Sequence, residues 1–580
     1  MQTKTKFLLF GILLLALFLR LFGINWDQGF HLHPDERAVI LSVLNLKFPD
    51  SLSEFFSPAS SWSPHFFAYG SFPFYLLRIV ANIAGYTNPS LSQYDGIQFV
   101  GRILSALFDT GTLFLLFLLG RRLFSTTVGI LATFFYTLSV LPIQLSHFYA
   151  VDTPLTFFVL GTLYFLIRFY EKQTRRKALL IGMFLGTALA AKISASVLIV
   201  SIGFALFIDF LLLFLRQPRK IHIWFPHLSI FAKHLLSYAS LIALTTLITF
   251  IVLEPYAIID QVSFLRQTYE QSNMTKSAFT FPYTLQYVGK IPYWHEVKNI
   301  FLWGQGPILA TVSSIGALYF TYLAVIKEKK EKWASEVIIA VFFWTYFFVV
   351  GGFAIGFMRY MLPVYPLLCL FAAVLIYRIG QSLTKHLKNK LILNTLYLIL
   401  LALLLVWPLS YMHIYTKPNP RVASSYFMHS FFSTADTLAI EHWDDGLPLW
   451  GQERFHMVTL PLYDPDTPEK WNTINKDLTG ADYIIVASNR LYTPLMRLTD
   501  CKTLPPDRCY TKTAQYYQDL FSGRLGYKKV AEFTNYPTVP FTAITIDDQN
   551  ADESFTVYDH PKVIIFKKIS PHQLPVQDTK

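Results

Sequence analysis

The chain has 580 residues, of which 53% are hydrophobic, 17% aromatic and only 15% charged. Soluble globular proteins carry about 25% charged residues, so this composition excludes an ordinary soluble enzyme and favours a protein that crosses a membrane several times. The net charge is +12. However, the Lys and Arg residues lie between hydrophobic runs, where they orient membrane helices, and therefore do not indicate nucleic-acid binding.

Eleven apolar runs of about 20 residues are long enough to cross a bilayer as helices. They lie at approximately 6–25, 101–120, 127–146, 153–170, 177–191, 193–215, 234–254, 306–326, 335–353, 360–378 and 391–411. The first run follows a basic start, but no A-x-A-like cleavage site comes after it. It therefore predicts an uncleaved membrane helix rather than a signal peptide.

Basic loops alternate with nearly uncharged loops along these runs. The stretches RFYEKQTRRK, RQPRK, KEKKEK and YRIGQSLTKHLKNK all fall on one side of the membrane if the runs alternate in direction. By the positive-inside rule that side is the cytoplasm, which also receives the N-terminus. We therefore expect a multi-pass protein of the plasma (inner) membrane, with a cytoplasmic N-terminus and an extracytoplasmic C-terminal domain.

Three long segments are extracytoplasmic in this arrangement: about 26–100, about 255–305 and everything after residue 411. In the last of them the runs ADYIIVAS, KKVAEF, SFTVYD and KVIIFKK are typical of strands. This tail of about 160 residues is large enough for its own core. The predicted fold is a polytopic α-helical membrane domain with about 11 transmembrane helices, residues 1–415, followed by an extracytoplasmic α/β domain, residues 416–580.

The chain has three cysteines, and no CxxC or His/Cys metal spacing is present. Cys369 lies in an apolar run, whereas Cys501 and Cys509 flank the polar stretch CKTLPPDRC. A disulfide between the latter two is one interpretation, because the predicted topology places them on the oxidising side. Two unpaired thiols are the other.

Three acidic residues stand out at external helix ends. In HPDE, Pro34 suits the first turn of a helix, so Asp35 and Glu36 lie near its positive end. Asp152 opens the fourth run. These acids could simply start or cap helices. However, the topology places all three on the external face, where ionisable groups at membrane depth suggest a functional site.

Two carboxylates with cations nearby suit displacement at the anomeric carbon of a sugar. In a sugar carried on a polyprenyl phosphate, the phosphate is already a good leaving group and needs only charge stabilisation. The acceptor hydroxyl is a poor nucleophile and needs a carboxylate base. Attack opposite to the phosphate would invert the anomeric centre.

Several motifs resemble the GT-C superfamily of membrane glycosyltransferases, in particular its protein-O-mannosyltransferase-like and aminoarabinose-transferase-like members. These motifs are HPDE, DTPLTFF, RYMLPVYPLL, PYTLQYVGKIPYW, NIFLWGQGP, NPRVASSYF, EHWDDGLPL and SNRLY. The resemblance covers most of the chain. It implies a GT-C fold, a polyprenyl-phosphate-linked sugar donor, a hydroxyl acceptor on protein, lipid or glycan, and inverting transfer outside the cytoplasm. It maps the essential acid onto Asp35, with Glu36 beside it, and a second acid onto Asp152.

Cations at external helix ends are candidates for the donor phosphate. Arg359 could clamp a phosphate with paired donors, or snorkel at the interface. Lys192 could face the phosphate or simply anchor a helix end. The Lys-Pro-Pro pattern of aminoarabinose transferases is missing here, and His65, Tyr69 or Arg78 would replace its lysine.

Aromatic residues of the second external segment could line a substrate cavity, although Trp and Tyr are common at any membrane interface. They are Tyr283, Tyr287, Tyr293 and Trp303. The spacing HxHxDE makes His31, His33 and Asp35 weak candidates for a divalent metal. No metal is assigned, because a monophosphate donor needs one less than a pyrophosphate donor does.

Two other functions fit parts of the sequence. A flippase or transporter of lipid-linked sugars, without covalent transfer, would use acids inside the apolar runs, such as Asp109 or Asp209. Asp109 follows Arg102 by two helical turns, so these two could form a pair within one helix. A non-catalytic scaffold would depend on the tail alone.

Overall fold

The computed structural model describes residues 3–216, 221–326, 332–387 and 389–569, and the side chains of 209–235 also lie outside this description. The basic loops RQPRK and KEKKEK and the side chain of Asp209 therefore fall almost entirely outside the described residues.

The described chain separates into two compact units. The first comprises Met1–Ile24, Pro34–Ser272 and Ile291–Pro408, and the second comprises Asn25–His33, Asn273–Lys290 and Leu409–Lys580. The sequence-based boundary at residue 415 lies close to the start of the largest segment of the second unit. That unit also includes Asn25–His33 and Asn273–Lys290, which are short parts of two long segments that the prediction assigned to the membrane domain.

The first unit is helical. Its helices, two of which end just inside the second unit, are α1 Thr3–Leu21, α2 Pro34–Asn45, α3 Leu52–Phe55, α4 Phe72–Gly85, α5 Tyr94–Leu123, α6 Thr126–Thr137, α7 Val140–Ser146, α8 Asp152–Glu171, α9 Arg175–Ala191, α10 Leu198–Arg216, α11 Ile221–Leu253, α12 Tyr256–Ile259, α13 Gln261–Lys276, α14 Trp294–Asn299, α15 Pro307–Ile326, α16 Trp333–Gly351, α17 Tyr365–His386 and α18 Lys390–Met412. A 3₁₀ helix, Met358–Val364, precedes α17.

Every one of the eleven predicted apolar runs overlaps a helix or the bent pair α6–α7. Among the described residues, seven helices are long and apolar enough to cross a membrane, or eight if that pair, bent by 61°, forms one span. The membrane-protein fold class is therefore confirmed, while the count of eleven spans stays a prediction. Helix α1 carries Lys4, Lys6 and Arg20 and is not among the seven.

Helices α2 and α4, which lie within residues 26–100, pack on each other and on the start of α5 through a shared core. Its members include Val39, Ile40, Phe74, Leu77 and Ile97, all fully buried. Residues 26–100 thus contain short helices that pack together. Their packing positions the first turn of α2, where Asp35 lies.

The second unit contains a five-stranded sheet. Its elements in order are α19 Pro420–Phe431, β1 Thr437–Glu441, β2 His456–Leu460, α20 Pro468–Gly480, β3 Tyr483–Val486, α21 Tyr492–Leu495, α22 Thr511–Ser522, β4 Tyr527–Phe533, α23 Glu553–Thr556 and β5 Val563–Lys568. The strand order is β2-β1-β3-β5-β4, with β2, β1 and β3 parallel and β5 antiparallel to both neighbours.

Strand β3 shows why this sequence makes a sheet with helices on both faces. Alternate side chains of a strand point to opposite faces. Ile484 and Val486 join the core formed with α20 and α22, while Tyr483 and Ile485 join the core that contains Met428 of α19. The predicted α/β domain is therefore confirmed.

Two details of this unit refine the sequence analysis. The run SFTVYD, predicted as a strand, instead begins in α23, because the carboxylate of Asp552 accepts a hydrogen bond from the Ser554 backbone N–H and caps that helix. Cys501 and Cys509 of this unit are joined in a disulfide, while Cys369, in α17 of the first unit, is a buried free thiol.

Candidate active site

Asp35 lies in the first turn of α2, one residue after Pro34. Proline at this position begins the helix without losing a backbone hydrogen bond. The carboxylate forms an ion pair with Arg359, with 2.8 Å between Oδ2 and Nη1. Its side chain is 24% exposed, so part of it remains open to solvent.

Asp152 is the first residue of α8. The N-cap of this helix is Val151, so the capping role considered for Asp152 does not occur. Its carboxylate instead lies 2.8 Å from Lys192 Nζ and 3.8 Å from Arg359 Nε. The side chain is only 3% exposed, which makes these cations necessary to offset the cost of burying its charge.

Arg359 and Lys192 complete a row of alternating charges: Lys192, Asp152, Arg359 and Asp35. Arg359 lies in the 3₁₀ helix before α17, and its guanidinium carbon is 4.7 Å from the centre of the Phe357 ring. Lys192 ends α9, with Nζ 4.5 Å from the centre of the Tyr360 ring. Cation–π contacts of this kind hold the two cations in place. The predicted acids and cations therefore meet in one cluster.

Tyr69 lies beside this charged cluster. Burial and the negative charge of Asp35 raise the pKa of Tyr69 well above its usual value, so its hydroxyl keeps its proton. The charges of Arg359 and Asp152 also act on it. His65 is exposed and Arg78 half-buried, and neither makes a hydrogen bond or ion pair to the cluster within the described ranges. Among the described residues, Tyr69 is thus the one predicted lysine replacement on which the charges of the cluster act.

Glu36 has a different environment from Asp35. It is fully buried, and its carboxylate accepts hydrogen bonds from Arg102 Nη2 at 2.6 Å, from Arg102 Nε at 3.0 Å and from the Tyr149 backbone N–H at 2.9 Å. Arg102 also donates to the Ile24 carbonyl. These contacts favour a structural role for Glu36 over the predicted catalytic one.

Asp109 does not pair with Arg102, so the predicted pair within α5 is wrong. Its fully buried carboxylate accepts hydrogen bonds from Arg20 of α1 and from the Tyr136 hydroxyl of α6. Asp109 thus joins three helices, which is a structural role. The transporter interpretation loses its main candidate residue.

The four aromatic candidates fall in different compact units. Tyr293 and Trp303 belong to the first unit, and Tyr283 and Tyr287 belong to the second. Tyr287 is buried and its hydroxyl donates to Asp552, while the buried Trp303 accepts a hydrogen bond at its carbonyl from Trp407. Packing therefore explains Tyr287 and Trp303 without a substrate.

A metal site is not evident in the part of the chain that the structure describes, where no three His, Cys, Asp or Glu side chains are grouped as a metal requires. His31 and His33 are buried in the second unit, where the His33 ring lies 4.3 Å from that of Tyr558. The HxHxDE spacing is thus not sufficient evidence for a metal.

One buried polar residue escaped the sequence analysis. Glu254 follows the last residue of α11 and is fully buried, with its carboxylate bonded to Ser71. The signal was available, because an acid at the end of a long apolar run suggests a functional site for the same reason as Asp152 does.

Sequence and structure comparisons agree with this architecture. Residues 72–242 match the family of dolichyl-phosphate-mannose-protein mannosyltransferases. This segment includes Asp152 and Lys192 but neither Asp35 nor Arg359. No curated protein sequence matches the chain.

Solved structures of similar architecture are known. The Archaeoglobus fulgidus oligosaccharyltransferase in the apo form has a TM-score of 0.50 at 13% identity, covering 94% of this chain and 75% of that chain. The AglB oligosaccharyltransferase of the same organism, in complex with an inhibitory peptide and a dolichol-phosphate, has a TM-score of 0.49 at 12% identity, covering 98% and 88%. ArnT from Cupriavidus metallidurans, bound to undecaprenyl phosphate, has a TM-score of 0.46 at 12% identity, covering 87% and 96%.

The chain therefore shares the fold of the Archaeoglobus fulgidus oligosaccharyltransferase, in agreement with the predicted GT-C fold class.

Proposed function

We propose that this protein is an inverting glycosyltransferase that moves a sugar from a polyprenyl-phosphate donor to a hydroxyl acceptor outside the cytoplasm. The observation that carries the proposal is the cluster in which Asp35 and Asp152, from distant parts of the chain, share Arg359. The match of residues 72–242 to a family named for dolichyl-phosphate-mannose makes a mannosyl donor the first to test.

The two acids would have different roles because their exposure differs. Asp35 is 24% exposed and Asp152 only 3%. A general base must reach the proton it removes. Asp35 is therefore the proposed base, and Asp152 holds Lys192 and Arg359 in place.

The proposed step conserves atoms and charge. The acceptor oxygen attacks the anomeric carbon on the face opposite the phosphate, and Asp35 takes the hydroxyl proton. The bond from the anomeric carbon to the phosphate oxygen breaks, and its electron pair leaves with the polyprenyl phosphate. Arg359 and Lys192 stabilise the negative charge that develops on that phosphate.

The location is part of the same proposal. The basic loops favour a plasma-membrane protein with a cytoplasmic N-terminus and an extracytoplasmic second unit. Donor lipids and acceptors of the cell envelope would then reach the cluster from outside the cytoplasm.

Replacing Asp35 with Asn tests this mechanism. Asp35→Asn keeps the size of the side chain but removes the base, so transfer should fall by about 10²–10⁴-fold. The assay follows label from polyprenyl-phosphate mannose into the protein, lipid and glycan fractions of native membranes. The matched control is Asp95→Asn, because Asp95 is an exposed acid in the first turn of α5.

Three results would contradict the proposal. Full activity of Asp35→Asn would show that Asp35 is not the base. Retention of the anomeric configuration in the product, read by nuclear magnetic resonance, would exclude a single inverting displacement. Movement of intact donor across liposomes without covalent transfer would instead support the flippase.

A further inference from the structure

The loop His65–Ser71, with the sequence HFFAYGS, leads into α4. Its first half is held by Gln267 of α13. The Phe67 backbone N–H donates to Gln267 Oε1 at 2.7 Å, and Gln267 Nε2 donates to the His65 carbonyl at 3.2 Å. The Phe67 ring packs edge-on against Phe264 of the same helix. Hydrogen bonds between the loop backbone and the Gln267 side chain therefore fix this end of the loop, in addition to side-chain packing.

The second half of the loop presses against the end of α9. The Gly70 backbone N–H donates to the Ala191 carbonyl at 3.0 Å. A Cβ atom at residue 70 would overlap the carbonyl group of Ala190, so only glycine fits there. The next residue after Ala191 is Lys192 of the charged cluster. The contact therefore fixes the distance between the loop and the cluster.

Glu254 holds the end of the loop. Its carboxylate accepts two hydrogen bonds from Ser71, one from the backbone N–H and one from the hydroxyl at 2.6 Å. Both residues are fully buried. A buried carboxylate is costly unless it is well bonded, and Ser71 provides both of these bonds. The position of Ser71, and hence of Gly70, depends on this acid.

Tyr69 lies between the two fixed points and directly precedes Gly70, whose backbone N–H contacts the residue before Lys192. Since its hydroxyl keeps its proton, it can donate a hydrogen bond to a phosphate oxygen next to Lys192 and Arg359. The fixed backbone on either side keeps this hydroxyl in place before the donor arrives. Such preorganisation lowers the entropic cost of binding.

We propose that Tyr69 binds the phosphate of the lipid donor and that Glu254 is a positioning residue that acts through Ser71 and Gly70 to hold Tyr69 there. This inference rests on the proposed function, because it assumes a lipid-phosphate donor at the cluster. Of the three residues predicted to replace the family's lysine, it selects Tyr69. It also adds Glu254, which lies outside the row of alternating charges.

Binding of undecaprenyl phosphate to the full-length protein in detergent, measured by native mass spectrometry, tests the inference. Tyr69→Phe should weaken binding about tenfold, the usual effect of losing one hydrogen bond to a charged group. Ser71→Ala and Glu254→Gln should weaken it several-fold. The controls are Tyr86→Phe and Glu270→Gln, which alter exposed side chains of the same unit and should change nothing.

A double-mutant cycle separates positioning from general damage. If Glu254 acts through Tyr69, then Tyr69→Phe combined with Ser71→Ala binds no more weakly than Tyr69→Phe alone. A purely structural role would make the two losses independent and additive. Should Glu254→Gln fail to fold, Ser71→Ala provides the same test with a smaller change.

The outcomes distinguish the inference from the function on which it rests. If the unmodified protein neither binds undecaprenyl phosphate nor transfers sugar, the proposed function fails. If the unmodified protein binds the lipid, but Tyr69→Phe binds equally well or the cycle is additive, the positioning role is overturned while the glycosyltransferase proposal stands.

Discussion

Asp35 and Glu36 are neighbours in the chain, yet they face different surroundings. Successive residues of a helix are rotated by about 100°, so two adjacent acids in the first turn of α2 cannot face the same cavity. Asp35 is turned to Arg359 and remains partly exposed, while Glu36 is fully enclosed by Arg102 and Tyr149. One acid is thus available for chemistry, and the other holds α2 against α5.

The ion pair of Glu36 and Arg102 should matter for stability. Arg102→Met leaves a buried carboxylate without its cation, so we expect the free energy of unfolding to fall by about 3–5 kcal/mol. Unfolding of the purified protein in detergent, followed by denaturant titration, measures this loss. The double variant Arg102→Met/Glu36→Met should lose less than the two single variants together, because no charge remains buried.

An exposed ion pair provides the comparison. Arg524→Met, which removes the exposed partner of Asp519, should leave the free energy of unfolding nearly unchanged. If Arg102→Met also leaves the free energy of unfolding unchanged, then Glu36 does not depend on its cation and the structural role is wrong.

At the scale of elements, the close contact between Gly70 and the end of α9 makes a clear prediction. Gly70→Ala places a methyl group on the Ala190 carbonyl, and a backbone atom cannot move aside as a flexible side chain can. The loop must shift away from Lys192, so sugar transfer should fall at least tenfold, as it does when a binding group is misplaced by about 1 Å.

The control is Gly203→Ala in α10, where an added Cβ meets no atom within 4 Å. Alanine also favours a helix more than glycine does, so this variant should keep its activity and its melting temperature. Equal activity of both variants would mean that the loop tolerates a different distance from α9.

Local patterns of the sequence predicted the helices and four residues of the site. Apolar runs predicted the helices because length and hydropathy are local properties, and the acids and cations were recognised at helix ends. Long-range partners were not predictable: Glu254 binds Ser71 across 183 residues, and Glu36 binds Arg102 across 66. No periodicity in the chain encodes which buried acid meets which donor.

At the scale of the molecule, the second unit has a buried charge network of its own. His560 is fully buried between two carboxylates, with Nε2 donating to Asp548 at 2.9 Å and Nδ1 donating to Asp559 at 2.5 Å. The hydroxyls of Tyr411 and Tyr415 also donate to Asp559. Burial alone would lower the pKa of His560, but the two carboxylates outweigh it and raise the pKa to about 10.

This network predicts how the second unit responds to pH. Because the folded pKa of His560 exceeds its unfolded value of about 6.5, its stabilisation is complete below pH 6.5 and is lost as the pH rises through 10. For Glu441, burial itself raises the pKa from 4.5 to about 8. The second unit should therefore also lose stability as the pH rises from 4.5 to about 8.

Hydrogen exchange of β1, β3 and β5 in the full chain, corrected for intrinsic exchange, measures this stability. Protection should fall between pH 8 and pH 10. His560→Gln should lower protection at pH 7 and flatten the dependence between pH 8 and pH 10. If the protection of His560→Gln falls with pH as steeply as that of the unmodified protein, another group titrates in this range.

The contact of Arg20 with Asp109 and Tyr136 has a practical consequence for protein engineering. Helix α1 supplies the cation for an acid that lies in the interior of its unit. A foreign leader or an unrelated apolar anchor of equal length would therefore not substitute for this segment, since it would leave Asp109 without a counterion. Fusion partners for expression should be attached ahead of α1, with its own residues kept intact.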